Sequence, residues 1–411
     1  MTAINYYNKI SQTDKIICKL LCLWLLIDAI NGFLLRNSIG FPVSQIFKVF
    51  LTLLMLVRIC RYRRGGIIFF VILFYVVIEA LHYSFNNVEN ISGSFQLLFK
   101  PISNIIIFFY FKMLMKKNQN YTYKQITTIF KFNFMVFAIN ILLGPFGFGF
   151  RSYELGEDNL GYVGFFYSLN ELGGVVAAIY PIFLYWCFKK GTKWYLLGAI
   201  LVLLLSVLVS SKACIFTAVL SVLFILLIES KHKTIAFILI AGLIITLFWK
   251  FNLNDFLTSD SLYSQKISYA YDKGGIAQVI WSNRNDFAVE RTQKFWSAGF
   301  FNKLLGLGGN RTVEIDPYDI LLNLGYFGLL ICVLMWCYFG KQIYSHWRKS
   351  PLAPVILLSD IMLFGMSIFA GHIFFSSTAG LFISILNTLI IYVDEKEKIS
   401  YSVKSLSVNQ G

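Results

Sequence analysis

Charged side chains are scarce in this 411-residue sequence. Asp, Glu, Lys and Arg make up 14% of it, where a soluble globular chain carries about a quarter. So few charges cannot coat a surface exposed to water, which excludes a soluble enzyme. Histidine is scarcer still, with four residues, and His82, His232 and His346 have no ligand spacing among themselves, so no metal site is expected. The seven cysteines (Cys18, Cys22, Cys60, Cys187, Cys214, Cys332, Cys337) fall within or at the ends of apolar runs. That pattern offers neither a disulfide framework nor zinc spacing and leaves them as small packing residues. No Gly-x-x-x-x-Gly-Lys-Ser/Thr loop occurs, so phosphate binding by a nucleotide P-loop is excluded. The first apolar run carries Asp28 and Asn31 and lacks a small-residue cleavage site, which makes it a retained helix and not a signal peptide.

What the chain has in abundance is apolar surface: 57% of residues are hydrophobic, 18% are aromatic and the mean hydropathy is +0.67. This is the compositional opposite of a disordered chain. A helix needs about 20 mostly apolar residues to cross the hydrocarbon core, and about twelve runs of that kind can be read along the sequence. They lie near Ile16 to Leu34, Val43 to Cys60, Ile67 to Leu81, Phe95 to Met115, Ile126 to Leu143, Gly164 to Phe188, Trp194 to Val209, Ala213 to Ile228, Thr234 to Phe251, Ile320 to Phe339, Val355 to Ala370 and Ile373 to Val393. The runs are continuous and do not alternate, which excludes a membrane β-barrel. The expected fold class is an all-α integral membrane protein of about 12 transmembrane helices. Most Phe and Tyr residues then face lipid.

Lysine and arginine give the orientation. Every even-numbered connection is basic, with Arg61, Arg63 and Arg64, then Lys112, Lys116, Lys117 and Lys124, then Lys189, Lys190 and Lys193, then Lys231 and Lys233, then Lys341, Arg348 and Lys349. Lys396 and Lys398 follow the last run. These connections and both termini are therefore expected in the cytoplasm. The net charge of +15 is mainly a topology signal. It is spread over helix ends and forms no single interleaved patch, so no nucleic-acid partner is expected.

Four regions follow: spans one to nine in residues 1–251, a long extracytoplasmic segment in 252–319, the last three spans in 320–393, and a cytoplasmic tail in 394–411. Loops as long as the second region are usually functional or disordered. Its Trp281, Phe287, Phe295, Trp296, Phe300 and Phe301 argue for folded structure, expected as a small domain of about two helices. It also holds Lys266, Lys273, Arg284, Arg291, Lys294, Lys303 and Arg311, against the positive-inside tendency. Arginine near the outer membrane surface suits a phosphate or pyrophosphate, because its planar fork can give one phosphate two charge-assisted hydrogen bonds. The plainer reading is a solvated charge mixture with Asp255, Asp260, Asp272, Asp286 and Glu290.

The segment resembles the bacterial O-antigen polymerase and O-antigen ligase superfamily. Four stretches carry the resemblance: Trp281-Ser282-Asn283-Arg284-Asn285-Asp286-Phe287 followed by Arg291; Leu305-Gly306-Leu307-Gly308-Gly309-Asn310; Glu314-Ile315-Asp316-Pro317-Tyr318-Asp319-Ile320 running into Leu324-Gly325-Tyr326-Phe327-Gly328; and Ala370-Gly371-His372-Ile373-Phe374-Phe375-Ser376. Gly164 to Glu171 and Ser210-Ser211-Lys212 are similar to further family segments. The resemblance implies a GT-C-like, metal-independent glycosyltransferase of the bacterial inner membrane that needs no cofactor. It implies undecaprenyl-pyrophosphate-linked oligosaccharides as donor and acceptor, with a chain-length regulator and a flippase as partners. Two departures stand out. Lys212 replaces an arginine frequent in the family, keeping the charge without the fork, and the segment has no histidine where ligase-like members carry one.

The residues also have a reading of their own. An extracytoplasmic synthesis has no nucleotide pool, so its donor must carry its own activation, as a sugar on lipid pyrophosphate does. Breaking that bond places negative charge on the departing pyrophosphate, which fixed guanidinium groups stabilise. Arg284 and Arg291, seven residues apart, share a helix face and can clamp one diphosphate. Arg311, after the glycine turn, can reach the same point or a second lipid phosphate. The attacking hydroxyl needs a base, for which Asp316 is favoured over Glu314. Asp316 competes for a different role, capping a helix that has Pro317 in its first turn. His372 is a candidate for phosphate binding or proton transfer, or else a structural histidine. Asn170 and Glu171, polar groups inside an apolar run, can meet sugar hydroxyls or neighbouring helices. Arg151, among Glu154, Glu157 and Asp158, either holds acceptor phosphate or pairs locally.

A polymerase of lipid-linked repeat units is therefore the expected function, with a ligase and a lipid-linked oligosaccharide flippase as alternatives. A flippase would be expected to show internal repeats or paired broken helices, and no repeat is evident. The acidic Glu314 and Asp316, in place of histidine, favour polymerase over ligase. A metal-dependent transferase would want acidic residues in the first external loop, and Leu35 to Pro42 has none.

Overall fold

The computed structural model describes residues 10–62, 65–155, 158–229, scattered positions from 268 to 278, 284–309, 311–369 and 371–392. The expected span Thr234 to Phe251, most of 252–283, Asn310, Ala370 and the cytoplasmic tail lie outside the described residues. The chain opens with α1 (Gln12–Leu21) and α2 (Trp24–Arg36), bent by 48° at the break between them. There follow α3 (Val43–Cys60), α4 (Gly65–Phe85), α5 (Ile91–Lys117), α6 (Gln119–Leu142), strands β1 (Phe150–Leu155) and β2 (Asp158–Gly164), α7 (Leu169–Lys190), α8 (Thr192–Val209) and α9 (Lys212–Glu229). Beyond the undescribed stretch come α10 (Arg284–Trp296), the short α11 (Phe300–Leu305), α12 (Asp316–His346), α13 (Ala353–Phe369) and α14 (Ser377–Leu389). Among the described residues seven helices are long and apolar enough to cross a membrane, or eight if α1 and α2 form one broken span, while α9, α13 and α14 are apolar but shorter. The architecture is compatible with a multi-pass, helical membrane protein.

Helix amphipathicity runs opposite to that of a soluble bundle. On α3 the buried face is Leu51, Met55 and Ile59, spaced four apart, while Ile46, Phe50, Leu53 and Val57 stay exposed. Phe70, Phe74 and Val77 on α4 and Ile200, Leu204 and Val207 on α8 are exposed in the same way. Apolar stripes this continuous are a liability in water and the required surface in lipid. The centre is α14, which packs on α5 and α7 and is buried from Thr378 to Leu389. The α9 and α13 helices close around α7.

At one end of the bundle a buried carboxylate ties three helices. Asp14 of α1 is wholly buried; Arg58 of α3 donates to it from Nε and Nη2, both at 2.9 Å, and Tyr110 of α5 adds a bond at 3.2 Å. Lys117 stands 3.9 Å away. The same Asp14 completes a capping box with Ser11, so one side chain both starts α1 and staples it.

At the opposite end two glycine segments interlock. Gly325, at φ 64°, breaks the regular geometry of α12, and a Cβ there would sit 2.4 Å from the Leu304 carbonyl oxygen. Gly306 faces it, and its own Cβ would sit 2.4 Å from the Asn323 backbone. Only backbone fits between these segments, and Leu307 N–H donates to the Leu322 carbonyl across the gap at 2.7 Å. His82 of α4 donates to the Gly306 carbonyl at 2.6 Å and Tyr83 to that of Asn323 at 3.2 Å. Gly309 N–H reaches Ser94 of α5 at 2.6 Å.

One element is not in the all-helical expectation. Residues expected to form a loop around Arg151 instead pair as an antiparallel hairpin, Arg151 opposite Tyr162 and Tyr153 opposite Leu160, and the helix expected from Gly164 begins at Leu169. The aromatic Phe150, Tyr153 and Tyr162 suit a pleated surface. At Gly164, φ 64°, a Cβ would sit 2.3 Å from Asn140 Oδ1, so the hairpin closes tightly on the end of α6 before α7 begins.

Candidate functional site

The polar groups of the interlocked end gather in one basin. Its outer wall is α10, whose first residue is Arg284. The Arg284 guanidinium donates from Nε and Nη2 to Glu314 Oε2 at 3.2 and 3.1 Å, and from Nη1 to the Phe369 carbonyl at the end of α13. A helix C-terminus offers unpaired carbonyls and partial negative charge, so a cation is well placed there. Arg291, one face further along α10, donates to the Thr312 carbonyl. The two arginines therefore grip successive points of the 312–314 segment. Glu314 itself is held at φ 64°, a conformation costly for a residue with a Cβ.

Asp316 lies two residues on and has the opposite environment. It is wholly buried, and Oδ2 accepts the amides of Ile373 and Phe374 at 2.8 and 2.9 Å. Its Oδ1 has no hydrogen-bond partner among the described residues. Asp316 thus latches the loop between α13 and α14 against the start of α12. The helix N-cap is Ile315, with no side-chain cap bond. Asp319 accepts the Val313 amide and fastens the same turn from below. The latched loop carries His372, at φ 59°, behind Gly371, where a Cβ would sit 2.3 Å from the Glu314 carbonyl oxygen. Burial lowers the His372 imidazole below its ordinary value, and Glu314 and Glu171 oppose that without reversing it.

Further cations and hydroxyls surround this centre. Lys212 opens α9, where Arg284 acts on it through space. The turn before it has Ser210 at φ 57°, packed under Gly161 of the hairpin. Tyr153 of β1 bonds Ser211 and also feels Arg284; burial raises its hydroxyl above the ordinary tyrosine value. Glu171, in the first turn of α7, accepts from Ser376 at 3.0 Å. Beside it Asn170 is half-buried.

Two expected residues stand apart. Arg151 lies over the Tyr162 ring, 4.4 Å from its centroid, a cation–π contact across the hairpin. Arg311 turns back to the Gly308 carbonyl at 3.2 Å, and no hydrogen bond or ion pair among the described residues joins it to Arg284. Trp281 to Asn283 lie outside the described residues.

Two lysines that sequence reasoning counted only as parts of spans act on this centre from α3 and α5. Lys48 of α3 is buried and paired with Asp28 of α2 at 2.7 Å, with Ser377 and Thr378 at 3.3 Å and the Trp24 ring beneath it. Lys100 of α5 acts through space on Glu171, Asp316 and His372. The signal that finds them is a charge inside an apolar run, which is expensive in lipid and marks a cavity or pathway.

Fold and site together are compatible with a multi-pass helical membrane protein that gathers arginine, lysine and carboxylate side chains at one end of its helices. No family model matches the chain, and neither a curated protein nor a solved structure is similar to it.

Proposed function

We propose that this protein is a bacterial inner-membrane glycosyltransferase that polymerises oligosaccharide repeat units carried on undecaprenyl pyrophosphate. In this reading the chain has about twelve spans, both termini are cytoplasmic and the basin opens on the outer face. The observation that carries the proposal is the Arg284–Glu314 pair: a guanidinium and a half-exposed carboxylate in direct contact, with Lys212 and His372 beside them. A donor pyrophosphate competes with Glu314 for Arg284. Its arrival frees the carboxylate to accept a proton from the acceptor hydroxyl, which attacks the anomeric carbon. The carbon–oxygen bond to pyrophosphate then breaks, and the leaving group takes the electron pair into the field of Arg284 and Lys212. Glu314 is the better base because it can be reached, whereas Asp316 is buried and engaged by two amides. Arg291 holds the segment that aims Glu314. Asn170 and Glu171 offer hydrogen bonds to sugar hydroxyls.

The test is complementation of a polymerase-deleted strain with wild type, Arg284→Ala, Arg291→Lys and Glu314→Gln, reading surface glycan as a ladder on a gel with membrane levels checked. A ladder from wild type and a single repeat unit from well-expressed variants supports polymerisation. His372 beside Glu314 favours a ligase as the second reading, and this would appear as lipid-linked polymer that never reaches the lipid A core. Repeat units stranded on the cytoplasmic face would indicate a flippase and overturn the proposal.

A further inference from the structure

The α4 helix is inverted. Its outward face is apolar, with Phe70, Phe74 and Val77 exposed, while the buried ones among its described residues are Tyr75, Glu79, His82 and Tyr83, spaced along one face. That face meets α12 where Gly325 breaks it. The Tyr75 ring lies 5.5 Å from that of Phe327, His82 is turned to the Gly306 carbonyl and to Asn86, and Tyr83 reaches the Asn323 carbonyl. Glu79, in the middle of this seam, is wholly buried. Neither of its carboxylate oxygens has a hydrogen-bond partner among the described residues, and nor has the Tyr75 hydroxyl. Ile72, Leu98, Ile102, Leu324 and Ile331 make the surroundings of Tyr75 apolar. A carboxylate held there without a donor or a cation is costly.

The groups facing Glu79 cannot supply the missing positive charge. Tyr75 and Tyr83 act on it at close range, and no lysine or arginine among the described residues does. Tyr83 spends its one proton on the Asn323 carbonyl at 3.2 Å, which leaves its lone pairs for Glu79. Asn323 stands two residues before the break, and its carbonyl oxygen keeps a second lone pair when it accepts one hydrogen bond. The seam is thus a set of oxygen acceptors carrying a single negative charge. A monovalent cation completes that set to neutrality. Calcium draws about six to eight oxygens, commonly from several carboxylates, and a divalent ion here would leave a positive charge buried. Broken helices in membranes use released carbonyls in this way, as ligands for an alkali ion.

We propose that the seam between α4 and the broken segment of α12 is a monovalent cation site, with sodium held by the Glu79 carboxylate, the Tyr83 hydroxyl and the Asn323 carbonyl, and with Tyr75 closing it from the turn before. The ion ties α4 to the glycine interlock. The Asn323 side chain holds the backbone of Arg311, so occupancy of the seam also steadies the segment that leads to Glu314. The proposal does not rest on the polymerase reading.

The test measures sodium binding to the full chain in detergent at about pH 8, where a carboxylate is ordinarily ionised. Two readouts are used: retention of radioactive sodium, and melting temperature in sodium chloride against choline chloride of equal ionic strength. Wild type should retain sodium saturably and melt higher in it, because an ion that binds only the folded chain stabilises that chain. Glu79→Gln keeps the shape without the charge and should lose both responses. Tyr83→Phe should weaken retention about tenfold, the worth of one oxygen ligand, and Glu290→Gln, on exposed α10, should behave as wild type. No retention by wild type, or retention unchanged in Glu79→Gln, would overturn the site. An equal effect of magnesium at matched ionic strength would reduce it to general screening and overturn it too. Stabilisation on acidification with no response to sodium would make Glu79 a neutral acid, which also ends the proposal. If Glu79→Gln does not fold, wild-type retention and Tyr83→Phe decide.

Discussion

Glu314→Gln separates chemistry from architecture. The substitution keeps the shape of the side chain and the backbone at φ 64°, and it removes only the charge. What the charge contributes to folding can be bounded. Arg284 donates twice to one oxygen of Glu314, at 3.2 and 3.1 Å, but the Glu314 side chain is 48% exposed, and an ion pair so open to solvent is worth at most about 1 kcal/mol. Gln still offers a carbonyl oxygen to Arg284, and the third bond, to Phe369, is untouched. The melting temperature should therefore move by no more than about 2 °C. A structural loss of about 1 kcal/mol caps the accompanying loss of activity at about fivefold. Removal of a general base costs about 100-fold to 10,000-fold, so the two roles differ by more than an order of magnitude. The assay is the initial rate of polymer formation by purified protein in lipid nanodiscs with lipid-linked repeat units, alongside the melting temperature. A Glu314→Gln protein within about fivefold of wild type would refute the assignment of the base. Arg284→Lys is the companion variant: its single ammonium cannot bridge Glu314 and the Phe369 carbonyl at once, and a rate loss of about 100-fold is expected.

The other predictions concern the supports of the site. Asp316→Asn places an amide where the carboxylate latches the amides of Ile373 and Phe374; leaving a buried donor without a partner should cost about 1–3 kcal/mol, seen as a lower melting temperature, and a lost rate with unchanged melting would instead make Asp316 a reacting group. Asp14→Ala leaves Arg58 and Lys117 together without their carboxylate and should destabilise by about 3–5 kcal/mol; a size-exclusion thermal-stability curve matching wild type would remove the staple from the account. Gly325→Ala must push a methyl against the Leu304 carbonyl and should abolish the folded peak, whereas Gly340→Ala, with nothing within 4 Å of the new atom, should not. His372 is held below its ordinary value of 6.5, so the unfolded chain takes up its proton before the folded protein does as pH falls; stability should drop as pH falls through the ordinary histidine range, and His372→Gln should flatten that part of the profile.

How much of this was legible in the sequence depends on the range of the interaction. The helices are written in runs of about twenty residues, a local signal, and so their existence and most of their limits could be read directly. Arg284 and Glu314 were each identifiable by residue type, but their contact spans 30 positions and rests on two backbone features that no periodicity encodes, the left-handed turn at Glu314 and the latch of Asp316 onto amides 57 positions away. The glycine motifs illustrate the same limit. Gly306 and Gly325 read as separate turns, and only the fold makes them each other's reason, since neither position tolerates a Cβ while the other segment is there. The hairpin was missed for a local cause: a strand signal of a few residues is outweighed by the long apolar run that follows it. Lys48 and Lys100 were missed for a logical one. Positive charge in a membrane chain serves topology at helix ends and chemistry inside helices, and counting Lys and Arg by connection passes over those that lie inside a run. Depth along the helix distinguishes the two. Lys112, Lys116 and Lys117 close α5, whereas Lys100 sits well inside it next to Pro101, where lipid alone would not keep it. A charge retained at that depth must be offset by a partner, and Glu171 and Asp316 are carboxylates that its field reaches.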